Sequence, residues 1–244
     1  MFRGESEADD SSSSSADSDP ETGSLQTSSD ISQINIYVSK LSGIQIQLKQ
    51  DKLRGIAFQL WPAAILLVDY LEEKQNLLFP AGIQHESFIE LGAGIGLCGL
   101  FVAALGSPQV VLTDTEEAMG ILGENIAINN PQTSRKVSAS VLRWGEEEDF
   151  RRNFASFASP PIVLASDCVY WEHLFEPFYQ TLLRFVSAGS TVLISHVKRW
   201  KKDTKFFAMC AKTMKVEVLV ENVAVSPDCT PRRSISRIYK ITKS

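Results

Sequence analysis

Ser87-Phe88-Ile89-Glu90-Leu91-Gly92-Ala93-Gly94-Ile95-Gly96-Leu97-Cys98-Gly99-Leu100 is the stretch whose reading decides the fold. A short apolar run ends in a cluster of glycines, and the apolar segment Leu97 to Leu105 follows at once. That order describes a buried strand, a tight turn and a helix whose N-terminus faces the turn. Glycines at such a turn let the backbone approach a ligand where side chains would block it.

The same rhythm continues downstream. Strands are predicted over Gln109 to Thr113, Val137 to Leu142, Ile162 to Ser166 and Thr191 to Ser195. Helices are predicted over Thr115 to Asn129, ended by Asn130-Pro131, and from about Pro177, with Phe178, Leu182, Phe185 and Val186 on one face. Upstream, Ile44-Gln45-Ile46-Gln47-Leu48 alternates as a half-buried strand does, and Pro62 opens a helix that is apolar nearly all round to Tyr70. Lys215 to Glu221 and Ser234 to Thr242 are two further strands, with a loop around Ser226-Pro227-Asp228 too short for a crossover, so they pair antiparallel. The expected fold is α/β and Rossmann-like: a mostly parallel sheet with an antiparallel C-terminal hairpin and helices on both faces. Ligands of such sheets bind beyond the carboxyl ends of the strands.

The 244 residues carry 24 basic and 29 acidic side chains, a formal charge of −5. Residues 1–30 hold eight of the acids, one base (Arg3) and ten serines, so 23 bases and 21 acids remain for residues 31–244. The first thirty residues read as a disordered acidic, serine-rich tail, and 31–244 as one domain with a nearly neutral balance of +2. No apolar run approaches the ~18 residues of a membrane helix. The N-terminus matches neither a secretory signal nor a transit peptide. Cys98, Cys168, Cys210 and Cys229 are dispersed, and His85, His173 and His196 form no ligand-spaced group, so no metal site is expected. A cytoplasmic or nuclear protein, monomeric and without a membrane partner, fits these features.

Two cofactors fit the glycine loop. Gly94-x-Gly96-x-x-Gly99 matches the dinucleotide fingerprint, with Asp114 twenty residues after Gly94, which supports an NAD(P)-dependent oxidoreductase. Glu90 ahead of the glycines favours the other: it would repel a pyrophosphate but attract the ammonium and sulfonium of S-adenosylmethionine. Asp114 can accept from ribose hydroxyls, Trp144 can cover an adenine face, and Asp167 projects from the end of its strand into the same crevice.

Glu90-Leu91-Gly92-Ala93-Gly94-Ile95-Gly96-Leu97, Thr113-Asp114, Asn125-Ile126 with Asn129, Leu142-x-Trp144-Gly145 and Asp167-x-Val169-Tyr170 resemble, in order, the motifs of the seven-β-strand protein-lysine methyltransferases. Trp61-Pro62-Ala63-Ala64 resembles that group's aromatic-proline segment, and the likeness spans roughly residues 40–242. The resemblance implies a class I methyltransferase fold with a seven-stranded sheet, S-adenosylmethionine as donor, and N-methylation of a lysine in a protein substrate, with chaperones and translation factors typical. It implies cofactor contacts from Trp61, Glu90, Gly92, Ala93, Gly94, Gly96, Asp114, Trp144 and Ser166, and an acceptor site at Asp167 and Tyr170. A methyltransferase-like domain serving only as a binding module is the non-enzymatic alternative. Cys168 reads as a buried inert thiol, and His173 and His196 as structural. The basic runs Lys198-Arg199-Trp200-Lys201-Lys202 and Arg232-Arg233 read as solvated charge, with nucleic acid an unfavoured partner.

Overall fold

The alternation of strands and helices is realised almost element for element in the computed structural model, which describes residues 33–133, 136–225 and 233–244. The N-terminal tail, Cys229 and the loop around Ser226 lie outside the described residues. In chain order the elements are β1 (Gln33–Val38), β2 (Gln45–Gln50), α1 (Pro62–Glu73), α2 (Gln75–Leu78), β3 (Phe88–Leu91), α3 (Leu97–Ala104), β4 (Val110–Asp114), α4 (Met119–Thr133), β5 (Val137–Val141), α5 (Glu147–Phe154), β6 (Ile162–Ser166), α6 (Phe175–Ser187), β7 (Val192–Lys198), α7 (Asp203–Cys210), β8 (Met214–Val225) and β9 (Arg233–Lys243).

Seven strands form one sheet in the order β5-β4-β3-β6-β7-β9-β8. The first five are parallel, and β9 runs antiparallel between β7 and β8, as the absence of a crossover helix requires. Alternate residues of each central strand enter separate cores on the two faces. Phe88, Leu112, Leu164 and Leu193 pack with α1, α3 and α4, whereas Ile89, Val111, Val163 and Ile194 pack with α6 and α7. Glu90 shares the face of Phe88 and so points at α3.

Three departures from the sequence reading have physical causes. The fourth helix does not stop at Asn130-Pro131 but runs to Thr133. Asn125 and Asn129, four apart on α4, hold it against β2: the Lys49 and Gln47 backbone N–H groups donate to the two side-chain oxygens at 2.8 and 2.9 Å, and the amides donate back to the same residues' carbonyls. These asparagines pair with β2 as a third strand would, and that anchorage offsets the one donor Pro131 lacks. β1 was not expected; it completes a two-stranded sheet with β2, in which Val38 faces Gln45. Nor was α5, whose apolar content is the pair Phe150 and Phe154 packed on Phe185. Glu147, Glu148 and Asp149 in its first turn and Arg151 and Arg152 in its last match the helix dipole.

Candidate active site

One cavity of about 570 Å³ lies over the carboxyl ends of the parallel strands, at the edge where such sheets bind ligands. Following the sheet, the strands contribute in spatial order: Trp144 beyond β5, Asp114 at the end of β4, Glu90 and the glycine turn at β3, Ser166 and Asp167 at β6, and Arg199 beyond β7. At ~4.8 Å per strand the row spans about 19 Å, enough for a nucleoside at one end and an acceptor at the other. Trp61, at the start of α1, lines the same cavity; its Nε1 donates to the Ile56 carbonyl at 2.8 Å, which fixes the indole at the wall.

The glycine turn is built for close approach. Gly92 has φ +60°, and a Cβ there would stand 2.9 Å from both the Cys168 sulfur and the Trp144 ring. Gly94 has φ +57°, and its Cβ would meet the Ala57 carbonyl oxygen at 3.1 Å. Either side chain would be strained and would fill the floor of the cavity. Ala93 lines the cavity while its N–H donates to the Thr113 carbonyl at 2.9 Å. Gly96 is set back beneath the turn, where a Cβ would meet Leu112 at 2.8 Å, so it shapes the loop from behind.

The carboxylates decide what the turn can hold. Glu90 is fully buried and its Oε2 accepts the Gly99 N–H at 2.8 Å. Burial pushes its carboxyl up to about 7, against the pull of that hydrogen bond. A dinucleotide would present its pyrophosphate to the N-terminal amides of α3, but one of those donors is already occupied by an acid. The arrangement suits a cationic ligand and disfavours an anionic one. Asp114 accepts from the Gly94 N–H at 2.8 Å with one oxygen and from the Thr115 N–H at 2.8 Å with the other. Burial raises its carboxyl too, and its unused lone pairs face the cavity, where hydroxyl donors of a ribose would satisfy them. Trp144 packs on Phe178 with ring centroids 4.4 Å apart and offers an aromatic wall on the β5 side. These residues fit S-adenosylmethionine: Glu90 for its positive end, Asp114 for its ribose, Trp144 for its base and Gly92 to Gly94 for its close backbone contact.

At the β6 end Asp167 is buried and adopts φ +58°, the one positive value on a non-glycine residue among those described. Asp tolerates this conformation better than most side chains, and such strain gathers at functional positions. Its two oxygens are gripped by the Arg199 guanidinium, Nη1 lying 2.7 Å from Oδ1 and Nη2 close to Oδ2. Burial alone would raise the Asp167 carboxyl; the neighbouring His196 and Arg199 more than reverse it and hold it below the usual carboxylate range. Tyr170 lines the cavity, its hydroxyl pushed up by burial and without a hydrogen-bond partner among the described residues. Cys168 is buried with its thiol raised well above the ordinary range, as an inert packing residue should be.

Two residues correct the sequence reading. His196 does have carboxylate neighbours: Nε2 is 3.2 Å from Asp203 Oδ2, and Nδ1 stands 3.6 Å from Asp167 Oδ1, too far for a hydrogen bond. Arg199 is not solvated charge but the partner of Asp167, with its guanidinium 5.1 Å from the Trp61 ring centroid. The signal lay in the register: Ser166 pairs with Ser195, so residues just past the two strand ends must meet.

Comparison with known proteins bears on the family. Residues 40–213 match a family model described as lysine methyltransferase. Protein N-lysine methyltransferase METTL21A of Xenopus tropicalis is 37% identical over 166 residues, covering 67% of this chain and 72% of the relative. EEF1A lysine methyltransferase 3 of the same species is 30% identical over 154 residues, 63% of each chain. Among solved structures, TYW2 of Pyrococcus horikoshii in complex with MeSAdo superposes with a TM-score of 0.53 at 18% identity, over 86% of this chain and 72% of that one, a likeness of fold. The nicotinamide and non-enzymatic readings therefore fall away: the chain belongs to the lysine methyltransferase family, whose donor is S-adenosylmethionine.

Proposed function

We propose that Asp167 and Tyr170 form the acceptor site of a protein-lysine N-methyltransferase and that Glu90, Asp114, Trp144, Trp61, Ser166 and the turn from Gly92 through Gly96 hold the donor. The observation that carries this reading is the shared cavity, in which an ionised Asp167 and an unpartnered Tyr170 hydroxyl face the same space as the glycine turn. S-adenosylmethionine, when bound, supplies an electrophilic methyl group on a sulfonium.

The chain's own task is to present a neutral amine. A free lysine has pKa ~10.4, so only about one in a thousand is unprotonated near neutral pH. Asp167 does not serve as the final proton store, because Arg199 and His196 keep its carboxyl low. It acts as a fixed hydrogen-bond acceptor: Arg199 occupies two of its roughly four lone-pair sites and the Val197 N–H, 3.5 Å from Oδ1, a third, leaving one for an amine N–H whose orientation sets the nitrogen lone pair. The proton leaves to solvent through the open cavity. Tyr170 adds a hydroxyl and a ring face, and with Trp61 narrows the space to a slender alkyl chain ending in a cation or amine.

The substrate class proposed is a chaperone or translation factor, supported by the EEF1A named for one group of relatives. The enzyme is proposed to act as a monomer in cytosol or nucleus. Mass spectrometry of methyl-lysines in cells lacking the protein, rescued with wild type or Asp167→Asn, tests the reading. A site lost on deletion and restored by wild type alone is the expected result; no change at any lysine would overturn it.

A further inference from the structure

The sequence Lys198-Arg199-Trp200-Lys201-Lys202 has a use beyond the Arg199–Asp167 pair. Lys198 ends β7 and residues 199–202 form the turn to α7, and Arg199, Trp200 and Lys202 all line the cavity. Trp200 is 60% exposed, and Trp171, which follows Tyr170 on the neighbouring strand's loop, is 51% exposed and lines the same cavity. Indoles are usually well covered in folded domains, and two left open at one cavity mouth mark a contact surface.

The exposure of Trp200 is built in. Buried Asp203 Oδ2 accepts the backbone N–H groups of Arg199 at 2.9 Å and Trp200 at 3.0 Å. The Thr204 hydroxyl donates to the Lys201 carbonyl at 2.7 Å. Lys205 Nζ reaches Glu172 Oε1 at 3.4 Å, tying the base of this turn to the loop that carries Trp171. Trp171 in turn packs edge-on against Tyr170, ring centroids 5.1 Å apart. Two ordered loops thus hold two indoles beside the acceptor end of the cavity.

Charge gives the occupant its chemistry. Among the described residues, Lys198, Lys201 and Lys202 have no carboxylate partner, while Glu172, the acid next to Trp171, is already taken by Lys205. We propose that this rim docks an acidic segment of the substrate protein next to the acceptor lysine, with the indoles covering its aliphatic side chains and Lys201 and Lys202 pairing with its carboxylates. The proposal rests on the lysine methyltransferase reading and adds the sequence character of the target. Tryptophan supplies most of the energy at such contacts and peripheral charge supplies selectivity. A single-stranded nucleic acid is disfavoured, since it needs a longer basic track than one turn supplies.

The test uses three short fluorescein-labelled peptides, each with one central lysine and leucines, flanked by acidic, serine or basic residues. Their affinity for the full chain saturated with S-adenosylhomocysteine is read by anisotropy at low and high salt. The acidic peptide should bind about ten-fold more tightly than the basic one, with the difference shrinking in high salt. Lys201→Glu/Lys202→Glu should invert that order, and Trp171→Ala/Trp200→Ala should weaken all three. An acidic peptide binding no better than the basic one, an order unchanged by charge reversal, or tighter binding of an oligouridylate would each overturn the proposal. Calorimetry with S-adenosylhomocysteine reads the cofactor half separately, so its failure would strike the methyltransferase reading and not the rim.

Discussion

Replacing Glu90 with Gln should make the empty protein more stable in mild alkali and a poorer binder of its donor. Glu90 is fully buried, and its folded pKa of about 7 lies well above the ordinary 4.5. For an acid shifted upward, the folded state holds the proton more tightly than the unfolded chain. The stability linked to this group is therefore complete below pH ~4.5 and is lost as pH rises to and through about 7. Over that window the ionised form costs roughly 3 kcal/mol, of which roughly 2–3 kcal/mol falls between pH 5 and pH 8. Gln keeps an oxygen for the Gly99 N–H and carries no charge, so the variant escapes this slope.

Denaturant unfolding of both proteins at pH 5 and pH 8, without ligand, isolates the effect of Glu90 and of its coupling to Asp114, because the titrating groups not coupled to it cancel in the difference. The advantage of Glu90→Gln at pH 8 over pH 5 should approach roughly 2–3 kcal/mol, or about 6–10 °C in melting temperature for a domain of this size. S-adenosylmethionine affinity should fall at least about ten-fold, since the ligand's positive end loses its buried counter-charge. An equal stability difference at both pH values would refute the assignment of an uncompensated buried acid. Unchanged donor affinity would refute its role toward a cation.

Asp167→Asn should lower turnover about 100-fold while S-adenosylhomocysteine affinity stays within about two-fold, since the change alters the acceptor end and its pairing with Arg199 and leaves the glycine turn untouched; calorimetry beside single-turnover rates separates the two. Arg199→Ala removes the cation that depresses Asp167, so the acid limb of the kcat profile should move to higher pH, with Arg199→Lys restoring part of the shift. Gly92→Ala places a methyl 2.9 Å from Cys168 and Trp144 in a left-handed backbone, and about 1–3 kcal/mol of stability should be lost together with donor affinity in a denaturation and calorimetry pair. Deleting residues 1–30 should leave S-adenosylhomocysteine affinity intact, and a collapse would show that the tail belongs to the folded unit.

The central strands and the gathering of Glu90, Asp114 and Trp144 at one cavity were legible in the sequence because each rests on local chemistry. A four-residue strand, apolar but for Glu90 and closed by glycines, has few readings, and Glu90, Asp114 and Trp144 stand within a few residues of strand ends that their own neighbours define. What escaped depends on contacts across the sheet. Arg199 and His196 reach Asp167 from 32 and 29 positions away, and in sequence Arg199 looks like any member of a basic run. Only the neighbouring placement of β6 and β7 turns it into a buried partner. The continuation of α4 past Pro131 has the same character: it rests on two asparagines reaching β2, 76 and 82 positions away, which no local propensity records.

The three carboxylates at the strand ends divide by the direction in which their environments push them. Glu90 and Asp114 are raised, because burial strips their water and the chain gives them neutral hydrogen-bond donors but no cation. Asp167 is lowered, because His196 stands beside it and Arg199 supplies a full positive charge in bidentate contact. An acid left raised without a cation is incomplete until a ligand brings positive charge or hydroxyl donors, so binding and ionisation reinforce each other at the cofactor end. An acid already neutralised can meet an uncharged amine without holding it as an ammonium. Methyl transfer needs that second condition, because a lysine kept protonated by a bare carboxylate would have no lone pair to offer. In the proposed acceptor site Arg199 therefore matters as Asp167 does, by weakening the pull that a naked Asp167 would exert on a cation.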